Sequence, residues 1–329
     1  EQAQLDGVAE RALRGLRSHP SEEAVLIGFG GGQCCDAAKY AAWYLEHIEQ
    51  RIPSEGSGKL PFERVLCIEV PSVVSVDAFL CEAVAVREGG KVRYLAGRRP
   101  DAVYVDYGIV CEAPRHLNRS GVADCLSIYT ALFDWKLSAE RTGERYDCGV
   151  AAQSRAIIDD LLAVEEKIRR VTPEGVRAIV EGYVHEIDLC TGWGNSRPEE
   201  GSEHFFAYNY EYLCTAENRR EHILHGELVG LGLFVQAAQG EYAAEPGRGA
   251  KPERATEIVE TMDALGLNWA PEAVDPEMIS KAMKTLRSYC EGESLPFSVA
   301  NVFEYPDEFC ERVLEEIEKQ QARRTGRTD

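Results

Sequence analysis

Several features are scarce in these 329 residues. No apolar run approaches the ~20 residues that a membrane-spanning helix requires, so no membrane partner is expected. Cationic side chains are outnumbered: 36 Lys and Arg stand against 56 Asp and Glu, for a net charge of −20. That balance opposes nucleic-acid binding, which draws on a basic footprint, and adhesion to an anionic membrane surface. The 11 cysteines include no C-x-x-C pair, which removes the usual zinc–thiolate signature. Cys34 and Cys35 are adjacent, a poor geometry for bridging each other. Scattered and odd in number, the cysteines read as reduced thiols of a cytoplasmic protein, with Cys67, Cys125 and Cys190 as small buried apolar residues. Only seven histidines are present, so few imidazoles are available for catalysis or metal binding.

What the chain does have is a glycine cluster, Gly28-Phe29-Gly30-Gly31-Gly32, fed by the apolar run Ala24–Ile27 and followed by the amphipathic segment Asp36–Leu45. This reads as strand, tight turn and helix. Backbone N–H groups at such a turn can approach a phosphate, with the helix dipole favouring negative charge. The spacing is neither G-x-G-x-x-G nor a Walker A loop, and a plain βα turn explains it equally well. Further strands are predicted at Val65–Val70 and Ala102–Val105, with a hairpin over 80–96 turning at Glu88-Gly89-Gly90. A helix is predicted over 2–18, another over 33–49, and a loop over 51–61. Beyond Pro114 the pattern is helical throughout: 115–140, 150–169, 173–191, 203–214, 221–239, 253–265, 276–291 and 307–323. The chain is therefore read as an α/β domain over 1–112 and an all-helical domain over 113–329, with a cleft between them. The basic tail Arg323–Arg327 reads as a solvated end.

Three histidine- or carboxylate-bearing segments of the helical half carry potential chemistry. Ser120–Asp124 is a turn into an apolar helix, Ser196–His204 a polar loop entering a second helix, and His222–Glu227 the start of a third. Asp124, His204 and His225 converging from three helices would suit Zn²⁺ or Fe²⁺ with one position open. On spacing alone each histidine reads first as a capping or packing residue, and Asp124 as a carboxylate favoured by the dipole at a helix N-terminus. In the α/β half, Ser72, Ser75 and Asp77 follow the second strand. Ligands of open α/β sheets bind outside the carboxyl ends of the strands, so this loop is expected beside the glycine turn. Asp36 and Lys39 read either as cofactor contacts or as the exposed face of their helix, and Arg98-Arg99 as a solvated loop.

In combination these segments resemble the metal-dependent polyol dehydrogenase family, the group of glycerol dehydrogenase, iron-containing alcohol dehydrogenases and sn-glycerol-1-phosphate dehydrogenase. The likeness runs from about residue 5 to 315. It rests on Gly28–Lys39 (G-x-G-G-G-x-x-x-D-x-A-K), Pro71–Asp77 (P-[TS]-x-x-S-x-D), Pro100–Asp106, Ala113-Pro114-Arg115, Gly121–Asp124 and His225–Gly230. Asp134-Trp135 and Ser196–His204 most resemble the glycerol-1-phosphate branch. The resemblance implies a dehydroquinate synthase-like architecture and hydride transfer between NAD or NADP and a small polyol or polyol phosphate. It implies Asp124, His204 and His225 as ligands of one divalent metal, zinc foremost, iron or nickel otherwise. Gly30, Gly31, Gly32, Gln33, Asp36, Ser72, Ser75 and Cys81 would line the dinucleotide. Asp77, Asp124 and Tyr208 would act on substrate, and a homo-oligomer is expected.

The same comparison brings out departures. The family carries a strand–helix–strand portion ahead of the equivalent of Gln2, so the Rossmann-like domain is expected to be partial, without its first strands. Tyr208 stands where the glycerol-1-phosphate branch has a histidine, Cys81 where a serine is usual, and Glu199-Glu200 in place of small residues. Extra carboxylates facing the site would disfavour a phosphorylated substrate. Two alternatives remain open. One is a dehydroquinate synthase-like cyclase, which would expect a glutamate at Asp124 and a basic phosphate loop. The other is a non-catalytic metal-binding or regulatory protein.

Overall fold

The computed structural model describes residues 1–19, 21, 23–48, 62–219, 223–244 and 255–326. The loop expected over 51–61 and His222 lie outside the described residues. The chain divides into two compact units, 1–88 with 92–114 and 89–91 with 115–329.

The first unit holds a parallel sheet. Strand β1 (Glu23–Gly30) pairs with β2 (Arg64–Pro71) in register from Glu23↔Arg64 to Gly30↔Pro71, and β2 pairs in parallel with the two-residue β5 (Ala102–Val103). Helices α1 (Gln2–Ser18) and α2 (Gly32–Glu46) supply Ala9, Leu13, Tyr40, Ala41, Tyr44 and Leu45 to a core completed by Val65 and Cys67 of β2. A separate hairpin joins β3 (Val84–Glu88) to β4 (Lys91–Leu95).

The apolar run predicts a buried strand over Ala24–Gly28, and the structure buries only one face of it. Ala24 and Gly28 are buried, but Val25, Ile27 and Phe29 alternate with them at 46%, 61% and 59% exposure. Period-2 alternation puts these three on one face, and α2 covers the other. A run of apolar residues records that a strand is apolar, not how many of its faces are covered. The third strand is also shorter than predicted, because Asp106 caps a helix, α3 (Tyr107–Glu112), by accepting from the N–H groups of Gly108 and Ile109.

The second unit is helical, as its periodicity predicts. The segment read as one helix over 115–140 is three: α4 (Arg115–Ser120), α5 (Val122–Leu126) and α6 (Ile128–Thr142). The breaks serve packing. Gly226 lies so close to the Ser120 carbonyl that a Cβ would collide with it. Ser127 turns its hydroxyl to the carbonyls of Asp124 and Glu199. Helices α7 (Cys148–Leu162) and α8 (Glu165–Arg170) likewise replace one predicted helix, and α9 (Pro173–Trp193) follows, with Thr172 capping and Pro173 at its first turn. Then come α10 (Ser202–Ala216), α11 (His225–Ala244), α12 (Ala255–Leu265), α13 (Pro276–Gly292) and α14 (Asp307–Thr325). No helix among the described residues is long and apolar enough to cross a membrane. Each of the eleven cysteines is unbridged.

Candidate metal centre and glycine turn

Each unit carries one cluster of the residues singled out above. In the first, Gly30 adopts φ +152°, a conformation open to glycine, and its Cα faces the Cys34 side chain. Gly31 then caps α2 with extended backbone and no side-chain cap. The loop after β2 folds onto this turn: Ser72 N–H donates to the Gly30 carbonyl at 2.9 Å, and a Cβ on Gly32 would lie 2.7 Å from Val76 Cγ2. Ser72, Ser75 and Asp77 thus sit in a segment held directly against Gly30–Gly32, all three partly exposed. The start of this 15-residue helix has no side-chain cap, and backbone N–H groups so placed can approach an anion.

Asp36, Lys39 and Cys81 form an interior knot instead. Lys39 is fully buried and its Nζ donates to the carbonyls of Cys81 (3.0 Å) and Ala83 (2.7 Å) while pairing with Asp36 Oδ1 at 3.1 Å. Asp36 Oδ2 also accepts from Ala85 N–H at 3.3 Å. Burial raises the Asp36 carboxyl above its ordinary range, with Lys39 opposing, and raises the Cys81 thiol as well. The exposed helix face read for Asp36 and Lys39 is therefore corrected: the pair ties α2 to the segment ahead of β3. Arg98 is likewise engaged, paired with Glu46 and Asp101.

In the second unit Asp124 (α5), His204 (α10) and His225 (α11) come together, with one ligand atom of each lying within 4.8 Å of the others. His204 Nε2 is 3.9 Å from Asp124 Oδ1, and the two imidazole centroids are 5.5 Å apart. Local anchors fix each donor. The Tyr183 hydroxyl donates to the Gly121 carbonyl at 2.7 Å, just ahead of Asp124. Asp134, fully buried in α6, accepts from Ser202 N–H and Val299 N–H, both at 2.7 Å, and so pins the first residue of α10. Tyr208, one turn after His204, stacks on the His225 ring with centroids 6.1 Å apart and donates to Glu200 Oε1 at 2.8 Å.

Charge around the centre is negative. Burial would lower the His204 pKa, but the hydrogen bond to Glu203 and the charges of Glu200, Glu203 and Asp124 outweigh it and carry the imidazole up to about 9. Asp134 is pushed up to about 6, by burial first and then by Glu203. His225 Nδ1 is buried, makes no hydrogen bond, and lies 3.6 Å from Glu211 Oε1. A cation placed among one carboxylate and two imidazoles would meet a matching donor set. Two contributors had no sequence-derived role: Glu203, one residue before His204, and Glu211, one turn beyond Tyr208. A carboxylate next to a predicted ligand, inside a run as apolar as Phe205-Phe206-Ala207, is the signal that could have marked the first.

No family model matches the chain. By sequence it is 31% identical over 216 residues to the glycerol-1-phosphate dehydrogenase of Aeropyrum pernix, covering 65% of this chain and 54% of that protein. It is 30% identical over 230 residues to that of Hyperthermus butylicus, covering 69% and 58%. The chain thus spans little more than half the length of the curated relatives it matches. By structure it superimposes on glycerol dehydrogenase from Schizosaccharomyces pombe with a TM-score of 0.60 and 18% identity, covering 100% of this chain and 77% of that one. It also superimposes on 2-epi-5-epi-valiolone synthase from Streptomyces hygroscopicus, a structure with NAD⁺ and Zn²⁺ bound, with a TM-score of 0.59 and 14% identity, covering 97% and 80%. The fold is the dehydroquinate synthase-like one, an α/β portion followed by an all-α portion. The chain belongs to the metal-dependent polyol dehydrogenase family, and both sequence relatives named above are glycerol-1-phosphate dehydrogenases.

Proposed function

We propose that this chain carries the metal centre of an NAD(P)-dependent oxidoreductase that interconverts a small polyol or polyol phosphate and its ketone. The observation that carries this reading is the convergence of Asp124, His204 and His225 from three helices, in a chain related by sequence to glycerol-1-phosphate dehydrogenases. These three residues would hold one divalent cation, with zinc our first assignment. The Lewis acidity a divalent cation supplies would favour the alkoxide of a bound hydroxyl and, in the reverse direction, polarise the ketone.

The chain's own residues have distinct tasks in this reading. Asp124 brings one negative charge, leaving a held dication net positive toward a hydroxyl. His204 is 7% exposed, and the apolar helix around it keeps water from competing for the donors. Tyr208 and Glu200 form a hydrogen-bonded pair beside the histidines, able to accept or relay a proton at the Tyr208 oxygen. We assign the glycine turn, with Gln33, Ser72 and Ser75, to the dinucleotide phosphates, and Asp77 to substrate hydroxyls. The interior knot gives Asp36 and Cys81 the task of holding α2 in place, so they support the glycine turn and do not touch the cofactor.

The test pairs metal content with turnover. Purified protein should retain about one zinc per chain, and Asp124→Ala should lose it. NADH and NADPH oxidation with dihydroxyacetone and with its phosphate should then report activity that zinc removal abolishes. Protein unable to take up zinc, iron or nickel would overturn the proposal.

A further inference from the structure

Glu203 has the geometry of a group that acts through its neighbour. It is fully buried, and each of its oxygens is engaged. Oε1 accepts from Gly201 N–H at 2.6 Å and lies 3.0 Å from His204 Nδ1. Oε2 accepts from the Thr130 hydroxyl at 2.5 Å. Thr130 belongs to α6, so the carboxylate is held from outside its own helix. Gly232 of α11 presses on the Glu203 backbone so closely that a Cβ there would collide with the Glu203 carbonyl. The backbone that carries the side chain is thus held against α11.

Donors reach Glu203 from a backbone N–H and a hydroxyl, so the carboxylate presents acceptors, and the proton shared with His204 belongs on Nδ1. With Nδ1–H held by Glu203, Nε2, which lies 3.9 Å from Asp124 Oδ1, is the nitrogen that a cation would take in place of a proton. We propose that Glu203, braced by Thr130, is a positioning residue that fixes the His204 tautomer and ring orientation and thereby sets the metal affinity of the centre. The inference rests on the metal-centre reading above and adds to it a residue that touches neither metal nor substrate. A carboxylate behind a metal-bound imidazole raises ligand basicity and orients the ring, and its loss typically costs 10- to 100-fold in affinity.

A plain helix-capping role makes a different forecast. A cap needs only the bond from Gly201 N–H; it needs neither Thr130 nor the approach to Nδ1.

The experiment measures zinc affinity by competition with a chromophoric chelator, and the visible spectrum of the cobalt-loaded protein, for wild type, Glu203→Gln, Thr130→Val and Asp124→Ala. The proposal expects Glu203→Gln to weaken zinc binding by about 10- to 100-fold and to move the cobalt bands. Thr130→Val should weaken binding in the same direction by a smaller factor, and, because it takes the donor from Glu203 Oε2, the metal-free protein should also melt earlier. A Glu203→Gln protein that melts earlier but binds zinc as wild type does, with unmoved cobalt bands, would overturn it. Should Glu203→Gln fail to fold, Thr130→Val decides: weaker binding supports the proposal, and unchanged affinity overturns it. Wild type that binds neither zinc nor cobalt would sink the metal centre itself. Wild type that binds, with Asp124→Ala deficient and both Glu203→Gln and Thr130→Val normal, would sink only the role of Glu203.

Discussion

Glu69 in the first unit and Glu203 in the second are both buried without measurable exposure, yet they live in different company. Glu203 meets a backbone N–H, a hydroxyl and an imidazole. Glu69, on β2 opposite Gly28, meets the thiols of Cys35 and Cys67, with Cys67 Sγ 3.5 Å from Oε1, and its Oε2 has no hydrogen bond. Thiols are weak donors. Burial accordingly pushes the Glu69 carboxyl up to about 7, and the two thiols and Lys39 recover only part of the shift. Burial alone therefore says little about what a carboxylate does. At Glu69 the weakness of the donors leaves burial free to push the carboxyl toward neutrality.

The sharpest way to break this contrast is to remove the imidazole. His204→Ala should abolish zinc retention, measured by elemental analysis. It should also leave the Glu203 carboxylate short of a donor, destabilising the metal-free protein by roughly 1–3 kcal/mol in urea titrations. Equal stability of variant and wild type would mean that Glu203 does not depend on the ring.

The second test uses pH. The pKa of Glu69 is higher folded than unfolded, so the folded state holds its proton longer. Its contribution is most favourable below the ordinary value near 4.5 and declines as pH rises toward about 7. At 1.36 kcal/mol per unit, that decline approaches about 3 kcal/mol. Glu69→Gln should remove it, so the variant gains on wild type between pH 4.5 and 7 in parallel urea melts. A constant gap across that window would refute the neutral reading of Glu69. The smallest effect belongs to Tyr208→Phe, which deletes one partly buried hydrogen bond to Glu200. Stability should fall by about 0.5–1.5 kcal/mol with zinc retained, which separates the tyrosine from the ligand set.

Much of this could be read from residues in order. Helical spacing beyond Pro114 gave a helical second unit, and the position of Ser72–Asp77 after a strand gave a loop against the glycine turn. Asp124, His204 and His225 could be picked as candidate donors by residue type, but their convergence was supported only through resemblance, because it depends on packing among helices far apart in sequence. Other features were not legible. Nothing local breaks 115–140 at Gly121 and Ser127; the breaks answer the close approach of Gly226 and the carbonyl of Glu199. The apolar run of β1 looks the same with one face covered or two. Lys39 read as a cofactor contact or part of an exposed helix face because its partners, the carbonyls of Cys81 and Ala83, arrive from more than 40 positions away.

The register that sets Gly28 opposite Glu69 reaches past this one molecule. A Cβ on residue 28 would run into the Glu69 carboxylate, so the two positions share a single volume. Any library that diversifies the strand must treat them as one unit of choice. A larger residue at 28 would be recovered only alongside a shorter one at 69, and such a pairing would trade the ionisable group for packing. Selection at the glycine turn would then also act, unseen, on how the core answers to pH.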